Sequence, residues 1–281
     1  MLDGESRVFH LHLVSDATGE TLEAMAKAAL VQFEGIEARK HLWPMIRTPT
    51  QMKRTMEFIA ENPGLVFYTL VNDDLRRILT RHCAMLNIPH VSVLDPVIEG
   101  LAQFLGARAR GLPGRQHEMD ADYFERIDAL HFTMAHDDGQ LVQDLRTADI
   151  ILVGVSRTSK TPTSIYLANK GFKTANVPFV PGVPLPAELG EPLKALIVGL
   201  TAAPERLVEI RTNRLRAMRE SPSTAYVDER TVREEVLACR RFCASRGWPV
   251  IDVTRRSIEE TAAAIVKLHS MRDAERMHDG D

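Results

Sequence analysis

The sequence predicts an α/β protein, with mainly parallel sheets flanked by helices in two successive domains. Short β-rich runs alternate with amphipathic helical stretches in both halves, the order that builds parallel sheets. A stretch with three glycines, one proline and three arginines and no apolar periodicity interrupts the chain over Gly106 to Glu118. The second half opens on an apolar strand that runs through a Gly-led polar loop into a helix.

In chain order, Val8 to Val14 is apolar and extended. Thr21 to Phe33 has helical spacing, with Leu22, Met25, Ala26, Ala29, Leu30 and Phe33 on one face. Leu65 to Val71 and His90 to Leu94 are two further β-rich runs, separated by a helical segment from Asp73 to Leu86. A helix from Asp120 to Ala135, with Phe124, Ile127, His131 and Met134 in register, ends at the polar cluster His136-Asp137-Asp138-Gly139. Strands are expected at Ile150 to Val155, Leu196 to Leu200 and Val250 to Val253. Helices are expected at Thr163 to Lys170, Pro204 to Met218, Thr231 to Arg246 and Ile258 to His269. Ser257 and Glu260 form a capping box at the start of the last helix. The polar tail from Arg272 to Asp281 is expected to fray. The domains read as 1–110, a connecting loop and helix over 111–145, and 146–281.

Composition narrows the function classes. The 281 residues, 44% of them hydrophobic, can bury a large core, and a formal charge of −3 lacks the basic excess of a nonspecific nucleic-acid binder. No apolar run approaches the roughly 18 to 20 residues that span a bilayer, and the N-terminus lacks a signal-peptide pattern, so a cytoplasmic location without membrane contact is expected. Cys83, Cys239 and Cys243 are too few for a disulfide framework. Cys239 and Cys243 share a helix face, but no second pair of zinc ligands accompanies them.

The segment Asp149 to Ala168, DIILVGVSRTSKTPTSIYLA, carries the clearest chemistry. A strand enters the loop Gly154-Val155-Ser156-Arg157-Thr158-Ser159-Lys160-Thr161 and a helix leaves it. Loop and helix N–H groups in such a setting point at phosphate oxygens, reinforced by the helix dipole. Lys160 would supply a point charge to the phosphates and Thr161 a hydroxyl ligand for Mg²⁺, making the C-terminal domain P-loop kinase-like. Ser159 stands where the signature has its second glycine and is expected to sit without positive φ. An ordinary strand–turn–helix junction is the alternative.

The loop Ser15 to Thr21 repeats this design near the N-terminus. It could hold a second anion or present Asp16 to a metal, or be a plain helix cap. His10 and His12, alternating on one strand, read as a half-solvated face. Asp137 is a candidate general base and Asp138 a candidate Mg²⁺ ligand, against the reading of Asp-Asp-Gly as a solvated turn. Arg206, Arg211, Arg214, Arg216 and Arg219 form either a solvated helix face or a phosphate or partner contact.

Taken together, SDATGET near the N-terminus, AHDDG at Ala135 to Gly139, LVGVSRTSKTPTSIYLA at Leu152 to Ala168, NVPFVPGVPLP at Asn176 to Pro186, IVGLT at Ile197 to Thr201 and DVTRRSIEETA at Asp252 to Ala262 resemble one family. It is the family of regulatory proteins of pyruvate, phosphate dikinase and of phosphoenolpyruvate synthase. The resemblance implies a bifunctional enzyme. One activity is an ADP-dependent kinase that inactivates the target on a threonine; the other is a phosphate-dependent phosphorylase that removes the group and releases pyrophosphate. The segment matching Gly154 to Thr161 would be the nucleotide loop. SDATGET, NVPFVPGVPLP and DVTRRSIEETA look more like the dikinase regulators than the synthase regulators. The expected assignments are Lys160 and the loop amides to phosphate charge, Thr161 and Asp138 to Mg²⁺, Asp137 to proton transfer and Asp16 as a helper, in a possible homo-oligomer. A small-metabolite kinase using the same loop, or a nucleotide-sensing binding module, are the competing functions.

Overall fold

The computed structural model describes residues 7–108, 121–140, 142–191, 193–219 and 225–278. The Gly- and Arg-rich run expected as a linker lies outside the described residues from position 109 onward. The chain divides into two compact units, Met1–Glu118 and Met119–Asp281. The helix and acidic cluster expected in the connecting segment therefore belong to the second unit.

The first unit runs β1 (Arg7–Ser15), α1 (Glu20–Leu30), β2 (Ile36–Trp43), α2 (Pro49–Glu61), β3 (Gly64–Thr69), α3 (Asp73–Met85), β4 (His90–Ser92) and α4 (Asp95–Leu105). All pairings are parallel, in the order β2-β1-β3-β4. The two-residue period of β1 sends Leu11 and Leu13 toward Leu22 and Ala26 of α1. Val14 instead joins Met52, Met56, Ile59, Leu75 and Leu79 of α2 and α3. The sequence pattern missed β2, an edge strand in which half of the residues are polar and no side chain is buried. It also missed α2, although Thr48 and Gln51 form a capping box ahead of buried Met52, Thr55, Met56 and Ile59.

His12 departs from the half-solvated reading: it is fully buried, stacked 4.9 Å from His41. Its Nε2–H donates to Asn62 O at 2.8 Å, and Nδ1 accepts from Trp43 Nε1 at 3.4 Å.

The second unit runs α5 (Ala121–Ala135), a 3₁₀ turn over Asp137–Gly139, β5 (Ile150–Gly154), α6 (Lys160–Ala168), β6 (Thr174–Pro178), β7 (Leu196–Thr201), α7 (Pro204–Ala217), α8 (Glu229–Ser245), β8 (Val250–Asp252) and α9 (Ile258–His278), with short 3₁₀ turns between some of them. Its parallel order, β6-β5-β7-β8, is that of the first unit. Central β5 is buried on both faces, as a covered parallel strand must be. Ile151 and Val153 pack with Leu207, Val232, Val236, Cys239 and Cys243 under α7 and α8. Ile150 and Leu152 pack with Leu167, Ala262 and Ile265 under α6 and α9. Up to His278 the tail does not fray as expected: α9 continues to that residue, with Arg272 donating to Ala195 O at 2.7 Å and also to Lys194 O, and residues 279–281 of the expected frayed tail lie outside the described residues.

This order decides where a ligand can sit. The chain leaves β5 for β6 on one side, and β7 lies on the other. The adjoining connections part at the carboxyl end of β5, which opens the crevice where open α/β sheets bind ligands.

Candidate active site

Gly154 ends β5 at a point where no side chain fits. A Cβ there would lie 2.4 Å from Leu200 O on β7 and 2.8 Å from Thr158 Oγ1. The backbone then turns through Arg157 at φ 72° and Ser159 at φ 59°, both left-handed. The expectation for Ser159 is thus overturned: the serine takes the positive φ that the glycine of the signature would take, at a cost of about 1–2 kcal/mol. Thr158 Oγ1 and Lys160 Nζ both donate to Val155 O, at 2.9 and 3.0 Å, drawing the loop around that carbonyl. Ser159 is the N-cap of α6 but makes no side-chain cap, and the first turn holds no acid. The first-turn amides of α6 therefore take no acceptor from the N-cap side chain or from a first-turn acid, and a helix end of this kind is suited to an anion.

Lys160 is 6% exposed. Burial pushes its ammonium down to about 8, opposed chiefly by the charge of Asp138 and then by Cys239 and Asp137.

Arg211 on α7 holds the loop from behind. It is 1% exposed and donates to Ser156 O at 3.2 Å, to Tyr226 O at 3.0 Å and to Glu235 Oε2 at 2.7 Å. Its guanidinium lies 4.7 Å from the Tyr226 ring centroid, and the Tyr226 hydroxyl meets Ser156 Oγ at 3.0 Å. Burial alone would raise the Tyr226 phenol, but hydrogen bonds with Ser156 and Arg157 and the charges of Arg157 and Arg211 bring it below its ordinary value. The arginine run is therefore divided. Arg206 pairs with Glu209 at the surface, whereas Arg211 is an internal prop of the loop.

The acidic cluster reaches the same place through β6. Asn176 N donates to His136 O at 3.0 Å, and Gly139 lies against Pro178. Thr161 Oγ1 donates to Asp137 Oδ1 at 2.9 Å. Asn176 Nδ2 donates to that same oxygen at 2.5 Å and to Thr161 Oγ1 at 2.9 Å. Asp138, at φ 50°, is exposed and turns into a cleft of about 340 Å³ that it shares with Ser156, Arg157, Ser159, Lys160 and Thr161, walled by Pro162, Pro178 and Ile210. His136 is turned inward, stacked on Phe132 at 3.8 Å with Nδ1–H donating to Phe132 O at 2.7 Å.

The structure thus gathers Gly154 to Thr161 with Asp137 and Asp138. Asp16 belongs to the first unit, where its buried carboxylate accepts the Val71 N–H at 2.7 Å. Burial raises its proton affinity, and the Val71 and Asn72 amides oppose this. The sequence reading missed Asn176, Arg211 in its internal role, and Tyr226. An asparagine inside a short apolar strand was the available signal for the first.

For Mg²⁺ the donor set fits. Thr161 hydroxyl and the adjoining Asp137 carboxylate are hard oxygens, and the described residues hold no cluster of three or more His, Cys, Asp or Glu that would cage a cation without a phosphate. Mg²⁺ is commonly held this way, by one or two protein oxygens plus phosphates and water.

Residues 11–266 match the kinase/pyrophosphorylase family. Three similar chains are each named "Putative pyruvate, phosphate dikinase regulatory protein". That of Rhizorhabdus wittichii is 57% identical over 94% of this chain and 97% of its own length. That of Novosphingobium aromaticivorans is 56% identical, over 94% and 95%. That of Paramagnetospirillum magneticum is 54% identical, over 93% and 84%. Among the described residues no helix is long and apolar enough to cross a membrane.

Proposed function

Because this chain belongs to the kinase/pyrophosphorylase family, we propose that it moves a phosphoryl group onto and off a threonine of pyruvate, phosphate dikinase, the enzyme in its relatives' names. In the forward reaction the threonine oxygen attacks the β-phosphorus of ADP and the bond to the bridging oxygen breaks. AMP leaves, and the threonine proton passes to a carboxylate. In the reverse reaction an oxygen of inorganic phosphate attacks the phosphothreonine. The threonine oxygen leaves with a proton and pyrophosphate is formed. The first reaction inactivates the target and the second restores it.

The observation that carries this reading is the cleft where Lys160, the uncapped start of α6 and Asp138 face one another. Loop amides and Lys160 would hold the phosphoryl group being transferred, whichever side it comes from. Mg²⁺, bound through Thr161 beside Asp137, would neutralise developing phosphate charge.

The test is to incubate the chain with purified dikinase and ADP and locate phosphothreonine by mass spectrometry. Phosphate is then added and pyrophosphate measured. Phosphothreonine that appears with ADP and is converted to pyrophosphate on adding phosphate supports the proposal. Labelling of phosphoenolpyruvate synthase alone would move the target. Phosphorylation of small acceptors alone would make the chain a metabolite kinase, and inhibition of the target without transfer would make it a binding module.

A further inference from the structure

The two adjacent aspartates look interchangeable in sequence, but the structure separates them. Asp137 Oδ1 is already taken by two donors, Thr161 Oγ1 and Asn176 Nδ2, and those donors also bond each other. The three side chains close a ring between the 3₁₀ turn, α6 and β6. Asp137 is bound into that ring and is absent from the cleft lining. Asp138 lines the cleft with Lys160 and Thr161, and among charged groups it acts most strongly on the buried ammonium.

The backbone explains the difference. Asp138 and Gly139 are consecutive left-handed residues, at φ 50° and 77°, and Gly139 is backed by Pro178. This sharp reversal points neighbouring side chains in different directions. Aspartate tolerates left-handed geometry better than most residues, and such geometry tends to persist where the surroundings enforce it.

We propose that Asp138, and not Asp137, is the catalytic carboxylate that takes the proton from the attacking threonine hydroxyl and relays a proton to the departing threonine oxygen in phosphorolysis, while Asn176 is a positioning residue that locks Asp137 onto Thr161. A general base must reach the reacting hydroxyl, and Asp138 is the carboxylate open to the cleft. In the forward step the threonine O–H bond breaks, its oxygen bonds to the phosphorus, and the proton goes to an Asp138 oxygen. In phosphorolysis the P–O(Thr) bond breaks as an oxygen of inorganic phosphate bonds to the phosphorus, and a proton of that attacking phosphate passes through Asp138 to the departing threonine oxygen. Asn176 acts through its neighbours: its amide fixes the oxygen of Thr161 that a cation would use. This rests on the phosphoryl-transfer reading above.

The experiment uses the full chain with dikinase, ADP and Mg²⁺. Asp138→Asn and Asp138→Gly should lose about 10²- to 10⁴-fold in kcat in both directions, with ADP binding retained. Sodium formate should partly restore Asp138→Gly and leave Asp137→Gly unrestored. Glycine suits the left-handed position, so Asp138→Gly is expected to fold. Asn176→Ala should raise the Mg²⁺ concentration needed for half-maximal ADP binding by about tenfold, read by calorimetry without turnover. Near-normal kcat in both Asp138 variants, or formate rescue of Asp137→Gly instead, would overturn the base assignment. Unchanged Mg²⁺ dependence in Asn176→Ala would overturn the positioning role. Failure of the wild-type chain to transfer phosphate would overturn the reading of the site and this assignment with it.

Discussion

Arg211 and Ser156, 55 positions apart, are joined by a hydrogen bond of 3.2 Å from a buried guanidinium to a loop carbonyl. The same guanidinium pairs with Glu235 at 2.7 Å, so α7 and α8 both bear on the shape of the loop from Gly154 to Thr161. Arg211→Met keeps the bulk and removes the donors. It leaves a partly exposed carboxylate and two carbonyls without their partner, so a loss of about 2 kcal/mol is expected, below the range for fully buried pairs. Chemical denaturation measures the stability. ADP affinity should fall as well; a variant of wild-type stability and affinity would refute the prop.

Ser159 stores strain that glycine would release. Ser159→Gly should stabilise the second unit by about 1 kcal/mol, less glycine's greater entropy when unfolded, while ADP binding is kept. Differential scanning calorimetry would show a rise of a few degrees. A lower melting temperature would mean the serine side chain stabilises more than its φ costs.

Gly154 is the opposite case. In Gly154→Ala the new methyl would meet Leu200 O at 2.4 Å, a backbone atom that cannot swing aside. The expected result is a loss of about 1–3 kcal/mol, with β5 and β7 forced apart. Equal urea midpoints for variant and wild type would contradict the contact.

How much of this could be read from sequence depended on whether a residue's role was local. The β5 loop and α6 were visible because the strand, the glycine, Lys-Thr and the helix are contiguous. Ser159 looked like a departure because its φ is imposed by the whole turn rather than by its own preference. Asn176 is 39 residues from Asp137, and only the parallel pairing of β6 with β5 brings it there. Arg211 was read within a charged helix, and the burial of one turn of α7 against Tyr226 is a tertiary fact. β2 escaped because an exposed edge strand need not carry an apolar alternation.

His12 gives the first unit an acid sensitivity. Burial lowers its pKa below 6.5, opposed by its bond to Asn62 O and reinforced by His41 and His10. Arg39 and His10 act in the same direction on His41, after burial. The neighbouring Trp43 and Phe58 add no charge. A histidine with a depressed folded pKa binds more protons when unfolded, so its contribution is present above about 6.5 and is lost as pH falls through the lowered folded value. Stability by urea titration should therefore decline from pH 7 to 5, and the decline should be shallower in His12→Gln. Equal slopes in the two proteins would remove His12 as the cause.

The proposed function makes the loop from Gly154 to Thr161 the holder of the phosphoryl group that reaches the target threonine. It is tested most directly with ADP labelled in the β-phosphate, purified dikinase, and wild-type or Lys160→Ala chain. Label is expected on a dikinase threonine, with release of AMP, for the wild type, and both are expected to be lost in Lys160→Ala. Label that stays in ADP with the wild type, or passes undiminished to the threonine in Lys160→Ala, would contradict it.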